Sequence, residues 1–276
     1  MMNVDLASLV EPVKAIAREA SRRILEIYLS GFSVTKKADK SPVTEADIVA
    51  HESILQGLTR LAPAIPVLSE EAADINFAER SRWDWLWLVD PLDGTREFIR
   101  HNGQFSVNIA LLHRHRAIFG LILIPITGVC YFAYQRGGAC KEIPLHAPRV
   151  IHTRPIHAEQ PIRVTGSRAS YTGKTLQAYL ESLGKHDYVG VGSALKSCLV
   201  AEGKVDLYPR FGPTYEWDTA AAQVIVEEAG GGVTDTQMRP LRYNARPTLL
   251  NPDFFVFGDP GQDWSRYLPN RHSVAS

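Results

Sequence analysis

Apolar residues recur every three or four positions in the first quarter of the chain, and this spacing predicts two amphipathic helices. The first helix covers about residues 13–28. The second is expected to begin after Thr44, which can serve as its N-cap, and to end near Leu61. A polar linker over residues 34–40 separates the two helices. The side chains expected to face inward from the second helix are Ile48, Leu55 and Leu58.

Shorter apolar runs, rich in β-branched and aromatic residues, predict strands in the middle of the chain. Two of them, residues 65–68 and 85–89, end directly in polar segments that carry acidic residues. The next three runs predict an antiparallel meander: 105–112, 118–124 and 129–134. The most apolar stretch, residues 117–134, is long enough to span a membrane, but three helix-breaking residues interrupt it: Gly120, Pro125 and Gly128. Two strands joined by a turn therefore explain this stretch better than a transmembrane helix.

A proline- and histidine-rich connector at residues 144–161 lacks periodicity and indicates a subdomain boundary. We therefore divide the chain into residues 1–150 and residues 151–276, packed as one structural unit. Beyond the connector, strands alternate with helices, which is typical of a second α/β layer. The predicted strands are 162–165, 188–191, 205–208 and 254–258, and the predicted helices are 173–183, 194–201 and 216–229.

Composition narrows the class of protein. With 276 residues and 45% hydrophobic content, the chain can bury a large core. Basic and acidic residues balance at 30 each, so no basic surplus indicates a nucleic-acid polymer as partner, whereas a small anionic substrate needs only a few local cations. The three cysteines have no metal-ligand spacing and are expected to be reduced thiols. With no recognisable secretory signal, a cytoplasmic protein is expected, and loose attachment to the inner face of the cell membrane is left open.

The most informative motif is Asp90-Pro91-Leu92-Asp93-Gly94-Thr95, which follows the apolar run at residues 85–89. Carboxylate oxygens are the ligands that Mg²⁺ prefers, and a turn stiffened by proline lets the Leu92 carbonyl join them. Gly94 permits the backbone to come close to a bound anion. Folding alone does not require two acids beside a buried strand. The motif therefore predicts a site where metal ions meet a phosphate, with a turn that carries solvated acids as the alternative.

Four further acidic residues lie near the predicted ends of elements, in segments far apart in sequence. Glu70 and Glu71 follow a short strand, and Asp218 lies at the start of a helix. Each has a simpler interpretation, because Glu70 could be a solvated loop acid and Asp218 could complement the helix dipole. Asp47, three residues after Thr44, could serve only as the partner in a capping box. The local pattern leaves these alternatives open.

Taken together and in this order, these motifs resemble the inositol monophosphatase superfamily of Mg²⁺-dependent, lithium-sensitive phosphomonoesterases. The resemblance spans most of the chain. It rests on Asp47, the Glu70-Glu71 pair, the run from Asp90 to Thr95, and Trp217-Asp218 with the alanines that follow. It implies a layered αβαβα sandwich of mixed α/β and α+β character, with the site between the two halves and two or more Mg²⁺ ions in that site.

The resemblance also implies a role for each residue. The implied ligands of one ion are Glu70, Asp90 and the Leu92 carbonyl. Those of the other ion are Asp93, Asp218 and the bridging Asp90. A charge count agrees, because four crowded carboxylates repel one another strongly unless cations are present. Asp47 and the Thr95 hydroxyl would orient and deprotonate the attacking water, and Glu71 would lie behind the metal ligands.

Two later segments help to discriminate among phosphate esters. Lys196 lies at the start of a predicted helix, and Arg210 follows within residues 206–214. A lysine and an arginine beside the site could bind a second phosphate, and the apolar surface around Phe211 could face a purine ring. Together with Arg96-Glu97-Phe98, these segments resemble the CysQ-type 3'(2'),5'-bisphosphate nucleotidases.

That closer resemblance implies hydrolysis of adenosine 3',5'-bisphosphate to AMP, a salvage step beside sulfate assimilation, by a monomer or homodimer. The residues expected to contact this small-molecule substrate are Glu70, Leu92, Asp93, Gly94, Thr95, Ser193, Lys196, Arg210 and Asp218, with Gly166-Ser167-Arg168 as a further phosphate-binding segment. The alternatives are an inositol monophosphatase or other sugar phosphatase on the same metal site, and an inactive nucleotide-binding protein. One departure is Ala222, where the family usually has glycine.

Overall fold

Three β-sheets and seven α-helices make up the part of the chain that the computed structural model describes, which is residues 4–36, 42–157, 159–167 and 173–269. The helices are α1 (Val10–Ser30), α2 (Glu45–Leu61), α3 (Phe77–Arg80), α4 (Thr95–Ile99), α5 (Lys174–Leu183), α6 (Leu195–Ala201) and α7 (Glu216–Glu228). The strands are β1 (Val34–Lys36), β2 (Pro42–Thr44), β3 (Val67–Ser69), β4 (Trp85–Asp93), β5 (Ser106–His113), β6 (Arg116–Ile124), β7 (Val129–Tyr134), β8 (Ala139–Glu142), β9 (Arg149–Val150), β10 (Ile162–Gly166), β11 (His186–Gly190), β12 (Leu207–Arg210), β13 (Gly232–Asp235) and β14 (Phe254–Phe257).

The two large sheets alternate with layers of helices. The seven-stranded sheet has the order β3-β4-β5-β6-β7-β8-β9, and the five-stranded sheet has the order β11-β10-β12-β14-β13. Helices α1 and α2 pack on one face of the larger sheet, and α6 and α7 lie between the two sheets. Helix α5 covers the far face of the smaller sheet. The layers therefore follow the order αβαβα that the sequence predicts.

The predicted meander is confirmed, because β5, β6 and β7 pair antiparallel with ends within two residues of the expected ones. These strands are buried along nearly their whole length, since helices cover both faces of the sheet. A turn joins β6 to β7, as the helix-breaking residues of the stretch 117–134 predict. No helix in the described ranges is long and apolar enough to cross a membrane.

The predicted inward face of α2 is wrong at two of its three positions. Ile48 and Leu55 are 42% and 38% exposed, whereas Leu58 is fully buried. The buried face instead repeats every four residues: Ala46, Ala50, Ile54 and Leu58. Small alanines let α2 approach α1 closely, and this packing decides the orientation of the helix more strongly than the size of the side chains.

Several short elements lie where the sequence predicts loops. The hairpin β1–β2 begins in the predicted linker, of which residues 37–40 lie outside the described residues. β9 lies inside the predicted connector. The sequence predicts a polar tail from Gln262 with Trp264 as an aromatic anchor, and a 3₁₀ turn at Trp264–Tyr267 buries that tryptophan. Elements this short carry too few residues for a periodic pattern. The chain passes from the larger sheet to the smaller one between β9 and β10, and the subdomain division at residue 150 stays a prediction.

Helix α7 lies unusually close to the larger sheet. A side chain on Gly120 of β6 would place its Cβ 2.2 Å from the carbonyl oxygen of Ala221, so only glycine permits this approach. The contact fixes α7 across the larger sheet. As a result, the first turn of α7, which carries Asp218, meets the end of β4, which carries Asp90.

Candidate active site

A bulge in β4 turns two acidic side chains towards the same side of the sheet. Residues three apart on a regular strand face opposite sides. Here Asp90 pairs with Asn108 and Asp93 pairs with Ser106, so one extra residue lies on β4. Because Asn108 and Ser106 face the same side of β5, the two aspartates do so as well. Pro91 suits this position, since a bulge does not need its missing backbone N–H.

Three predicted acids converge into one cluster. Carboxylate oxygens of Glu70, Asp90 and Asp218 lie within 4.8 Å of one another. Glu70 comes from the 3₁₀ turn after β3, Asp90 from β4, and Asp218 from the first turn of α7. Burial and the neighbouring carboxylates of Glu70 and Asp93 raise the pKa of Asp90 well above its usual value. A set of hard oxygen donors with excess negative charge, with Asp90 buried and the other two half-buried, fits Mg²⁺.

Asp93 lies beside this cluster but is not gathered into it. Its carboxylate accepts hydrogen bonds from the backbone N–H of Ala194 at 2.5 Å and from the Asn108 amide at 3.4 Å. Burial raises the pKa of Asp93, and the Lys196 ammonium opposes that rise. The Leu92 carbonyl accepts a hydrogen bond from the Thr95 hydroxyl at 3.5 Å. Asp93 thus links the acidic cluster to the segment that precedes α6.

Asp47 has two different partners for its two carboxylate oxygens. Oδ2 accepts the backbone N–H of Thr44 at 2.7 Å and completes the capping box of α2. Oδ1 accepts the hydroxyl of Thr95 at 3.2 Å. The capping role is therefore present, and it leaves the second oxygen directed at Thr95.

Asp218 repeats this arrangement at the start of α7. One of its oxygens accepts the backbone N–H of Tyr215 at 2.8 Å, and the side chain lies within hydrogen-bonding distance of Asp90. Burial raises the pKa of Asp218, and Asp93 adds to that rise. Asp47 in the first turn of α2 and Asp218 in the first turn of α7 are thus fixed on either side of β4.

A buried polar network behind Asp218 has no counterpart in the sequence predictions. Arg80 is 2% exposed and donates to Asn244 at 2.6 Å and to the carbonyl of Pro247 at 2.6 Å. Glu216, fully buried, accepts the backbone N–H of Asn244 at 2.6 Å. Burial raises the pKa of Glu216 to about 7. These contacts hold the start of α7, and no local pattern reveals them because the partners lie more than 160 residues from Arg80.

Ser106 and Asn108 were also missed, although the sequence does carry a signal for them. Both side chains are buried, in a strand whose other residues up to Leu112 are apolar. They hydrogen bond to each other at 2.9 Å and lie against Asp93. Two polar residues spaced two apart in a buried strand indicate a shared polar partner across the strand.

A cavity of about 260 Å³ opens beside the acidic cluster. Asp93, Glu97 and Asp218 line it. Gly94 and Ser193 also line it, and Gly94 has a φ of 93°, which favours glycine. The cationic side chains that line it are Arg96, Arg100, Lys196 and Arg210. The lining thus combines carboxylates with cationic side chains.

Lys196 is held inside this cavity. It is 8% exposed, and its Nζ donates to the carbonyl of Ser193 at 2.5 Å and lies 5.4 Å from the centre of the Tyr208 ring. Burial lowers the pKa of Lys196, and the negative charge of Asp93 opposes that change. The structure therefore brings Lys196 and Arg210 to the site, as the sequence analysis expects.

Phe211 does not face the cavity. Its ring packs on Tyr179 at 5.3 Å and on Phe255 at 5.9 Å, within the core on the far face of the smaller sheet. Phe211 itself therefore does not meet a purine, because neighbouring residues of an extended segment point to opposite sides. Tyr208 and Pro213 of the same segment do line the cavity, together with Phe254, so the expected apolar surface is present without Phe211. Ser167 also lines the cavity, while Arg168 lies outside the described residues.

Comparison with known proteins agrees with this geometry. The model of the inositol monophosphatase family matches residues 5–258. The 3'(2'),5'-bisphosphate nucleotidase CysQ of Shigella flexneri is 46% identical over 250 residues, which is 90% of this chain and 99% of that protein. The protein of the same name from Haemophilus influenzae is 38% identical over 257 residues, which is 93% of this chain and 95% of that protein.

The crystal structure of CysQ from Bacteroides thetaiotaomicron superposes with a TM-score of 0.80 at 38% identity, covering 93% of this chain and 99% of that chain. An IMPase from Thermotoga maritima superposes with a TM-score of 0.76 at 25% identity, covering 94% and 96%. These likenesses confirm the predicted fold class. The chain belongs to the inositol monophosphatase family.

Proposed function

We propose that this chain is a 3'(2'),5'-bisphosphate nucleotidase that hydrolyses adenosine 3',5'-bisphosphate to AMP and phosphate. The observation that carries the proposal is a cavity whose lining combines the carboxylates of Asp93 and Asp218, next to the acidic cluster, with four cationic side chains. Relatives that bear this enzyme name are 38–46% identical over at least 90% of the chain. A cytoplasmic location, in sulfate assimilation or nucleotide salvage, is part of the same proposal.

Mg²⁺ fits the acidic cluster. Glu70, Asp90 and the Leu92 carbonyl would hold one ion, and Asp93 and Asp218 would hold a second, with Asp90 shared. When bound, Mg²⁺ lowers the pKa of water and offsets charge on the phosphoryl and leaving oxygens. Through the ions that they would hold, these carboxylates would fix the position of the reacting phosphate.

Thr95 and Asp47 form the proton path of this proposal. Because the Thr95 hydroxyl donates to Asp47, its oxygen keeps lone pairs with which to accept a proton from an attacking water. The water forms the new bond to phosphorus, and its proton passes to Thr95 while the Thr95 proton moves to Asp47. The bond from phosphorus to the 3' oxygen breaks, and that oxygen leaves as a hydroxyl after it gains a proton from solvent.

Ser193, Lys196 and Arg210 complete the site on the substrate side. Lys196 and Ser193 stand directly beside Asp93, so they would contact the nucleotide next to the reacting phosphate. Arg210 lines the same cavity and donates to the carbonyl of Pro213 at 2.9 Å. A neutral inositol ring offers no second phosphate to the group of cations that lines this cavity, which favours a bisphosphate as substrate.

The test is phosphate release from adenosine 3',5'-bisphosphate and from inositol 1-phosphate in parallel, with Mg²⁺ or with EDTA. We expect a strong preference for the bisphosphate, no activity in EDTA, and inhibition by millimolar lithium. A preference for inositol 1-phosphate would keep the fold and replace the proposed substrate. Binding of Mg²⁺ with no hydrolysis of either ester would instead identify an inactive nucleotide-binding protein.

A further inference from the structure

We propose that Arg96 and Arg100 form the subsite for the second, non-reacting phosphate of the substrate, and that they set the preference for bisphosphates. This inference rests on the proposed function and assigns a specificity role to two residues on the wall of the same cavity.

Both arginines lie on one wall of the cavity. Arg96 is in α4 and Arg100 is its C-cap, so the two residues are four apart and share one face of the helix. Both line the cavity into which Asp93 and Asp218 project. A phosphate bound between the two guanidinium groups would therefore lie in the same cavity as the reacting phosphate.

Helix α4 is fixed by an aromatic cluster on its opposite side. Phe98 is fully buried, and its ring lies 5.0 Å from that of Tyr28 and 5.1 Å from that of Phe105. Gly94, just before the helix, packs closely against the carbonyl of Gln104 and so holds the start of the helix there. Because α4 is held in this way, its arginines reach the cavity from a rigid base, which limits the entropy lost on binding.

The guanidinium groups of Arg96 and Arg100 keep their donors available. Within the described residues neither has an ion pair or a side-chain hydrogen bond. By contrast, Lys196 already donates to the carbonyl of Ser193, and Arg210 to that of Pro213. An arginine presents five N–H donors in a fork that matches phosphate oxygens in pairs. Two such groups can enclose one phosphate.

The charges in the cavity support the same assignment. The ammonium of Lys196 faces the carboxylate of Asp93, so part of its charge is already offset inside the protein. The other acid on the wall is Glu97, whose stem packs towards Gly192. A phosphate monoester carries a charge of about −1.5 to −2 at neutral pH. Arg96 and Arg100 supply two positive charges that no carboxylate among the described residues neutralises.

The experiment compares R96A, R100A and the double variant on two substrates, adenosine 3',5'-bisphosphate and adenosine 3'-monophosphate. The second substrate keeps the reacting phosphate and lacks the other one. We expect the double variant to lose about 10- to 100-fold in kcat/KM for the bisphosphate, mainly through KM, and less than about threefold for the monophosphate. The matched control is R60A, an exposed arginine at the far end of α2, about 25 Å along the helix from Glu45.

A second measurement is independent of turnover. Calorimetric titration with AMP, in EDTA, reports binding of the 5'-phosphate alone, and its Kd should rise about tenfold or more in the double variant but not in R60A. Equal loss on both substrates, or an unchanged Kd for AMP, would overturn the assignment. If the unmodified protein itself does not prefer the bisphosphate to the monophosphate, the proposed function fails; if it does, and the double variant keeps that preference, only this inference fails.

Discussion

The acids and the cations of the site are held in different ways. At what we call the carboxylate end, four acids each accept a hydrogen bond from a backbone N–H: Asp47 from Thr44, Asp90 from Leu92, Asp93 from Ala194 and Asp218 from Tyr215. At what we call the cationic end, Lys196 and Arg210 donate to carbonyl groups, whereas Arg96 and Arg100 are exposed. Backbone contacts leave little freedom, so the acids are preorganised for chemistry, while the exposed arginines can adjust to the substrate.

The largest effect is expected at the centre of the carboxylate end. Asp90→Asn removes the carboxylate that the proposed metal ions share, so kcat should fall by about 10³-fold or more. Because the change also removes a buried charge from a group of like charges, thermal unfolding in EDTA should occur at the same or a higher temperature. The measurements are phosphate release and a melting curve for each protein.

The control for this variant is Asp84→Asn, because Asp84 lies just before the same strand and is 70% exposed. It should keep full activity. Retention of more than a tenth of the activity by Asp90→Asn would exclude Asp90 from the shared metal position.

The next effect concerns the proton path. Thr95→Ala removes the hydroxyl that donates to Asp47 and should lower kcat by about 10²-fold, at the low end for general acid–base catalysis. Thr95→Ser keeps the hydroxyl and should recover most of the rate. Steady-state kinetics on the bisphosphate distinguish the two variants, and similar losses in both would assign the effect to packing.

The carboxylate end was predictable from sequence for the same reason that it is rigid. Asp47 and Asp218 lie three residues after their N-caps, and Asp90 and Asp93 lie at the end of one strand, so short local patterns reveal them. The bulge that aligns Asp90 with Asp93 depends on pairing with β5, which no local pattern reports. Arg80 was missed because its partners lie far away in sequence, and the place of Arg96 on the cavity wall was missed because exposed arginines are common.

The cationic end should respond selectively. Lys196→Met keeps the volume of the side chain and removes its charge, so kcat/KM for the bisphosphate should fall about 10- to 100-fold while that for inositol 1-phosphate changes little. Lys185→Met, at an exposed position, is the matched control. Kinetics on both esters provide the test, and an equal loss on the two substrates would place Lys196 among the groups that hold the metal ligands.

The close approach of α7 to the larger sheet can be disrupted by a substitution in the sheet. Gly120→Ala would place a methyl group 2.2 Å from the carbonyl oxygen of Ala221, which cannot move without shifting α7 and Asp218. We expect a loss of about 1–3 kcal/mol in the free energy of unfolding, together with a weaker apparent affinity for Mg²⁺. Gly57→Ala is the comparison variant, because the nearest atoms to its methyl group, from 2.7 Å, belong to the side chain of Ile16 and not to backbone. Denaturant unfolding of both variants measures the difference, and equal stabilities would show that the backbone contact is not limiting.

The smallest effect concerns Ala222, the departure from the family pattern, which is buried on the same helix. Ala222→Gly restores the usual residue but should lower the free energy of unfolding by about 1 kcal/mol, because glycine is a poor helix former. Activity should not change, since the side chain faces the core rather than the cavity. Ala220→Gly has the same propensity cost at another buried position, so denaturant unfolding of the two variants isolates any crowding by the Ala222 methyl group. If Ala222→Gly stabilises the protein, that methyl group strains the packing of α7, and the helix that carries Asp218 is held less tightly than its backbone contacts suggest.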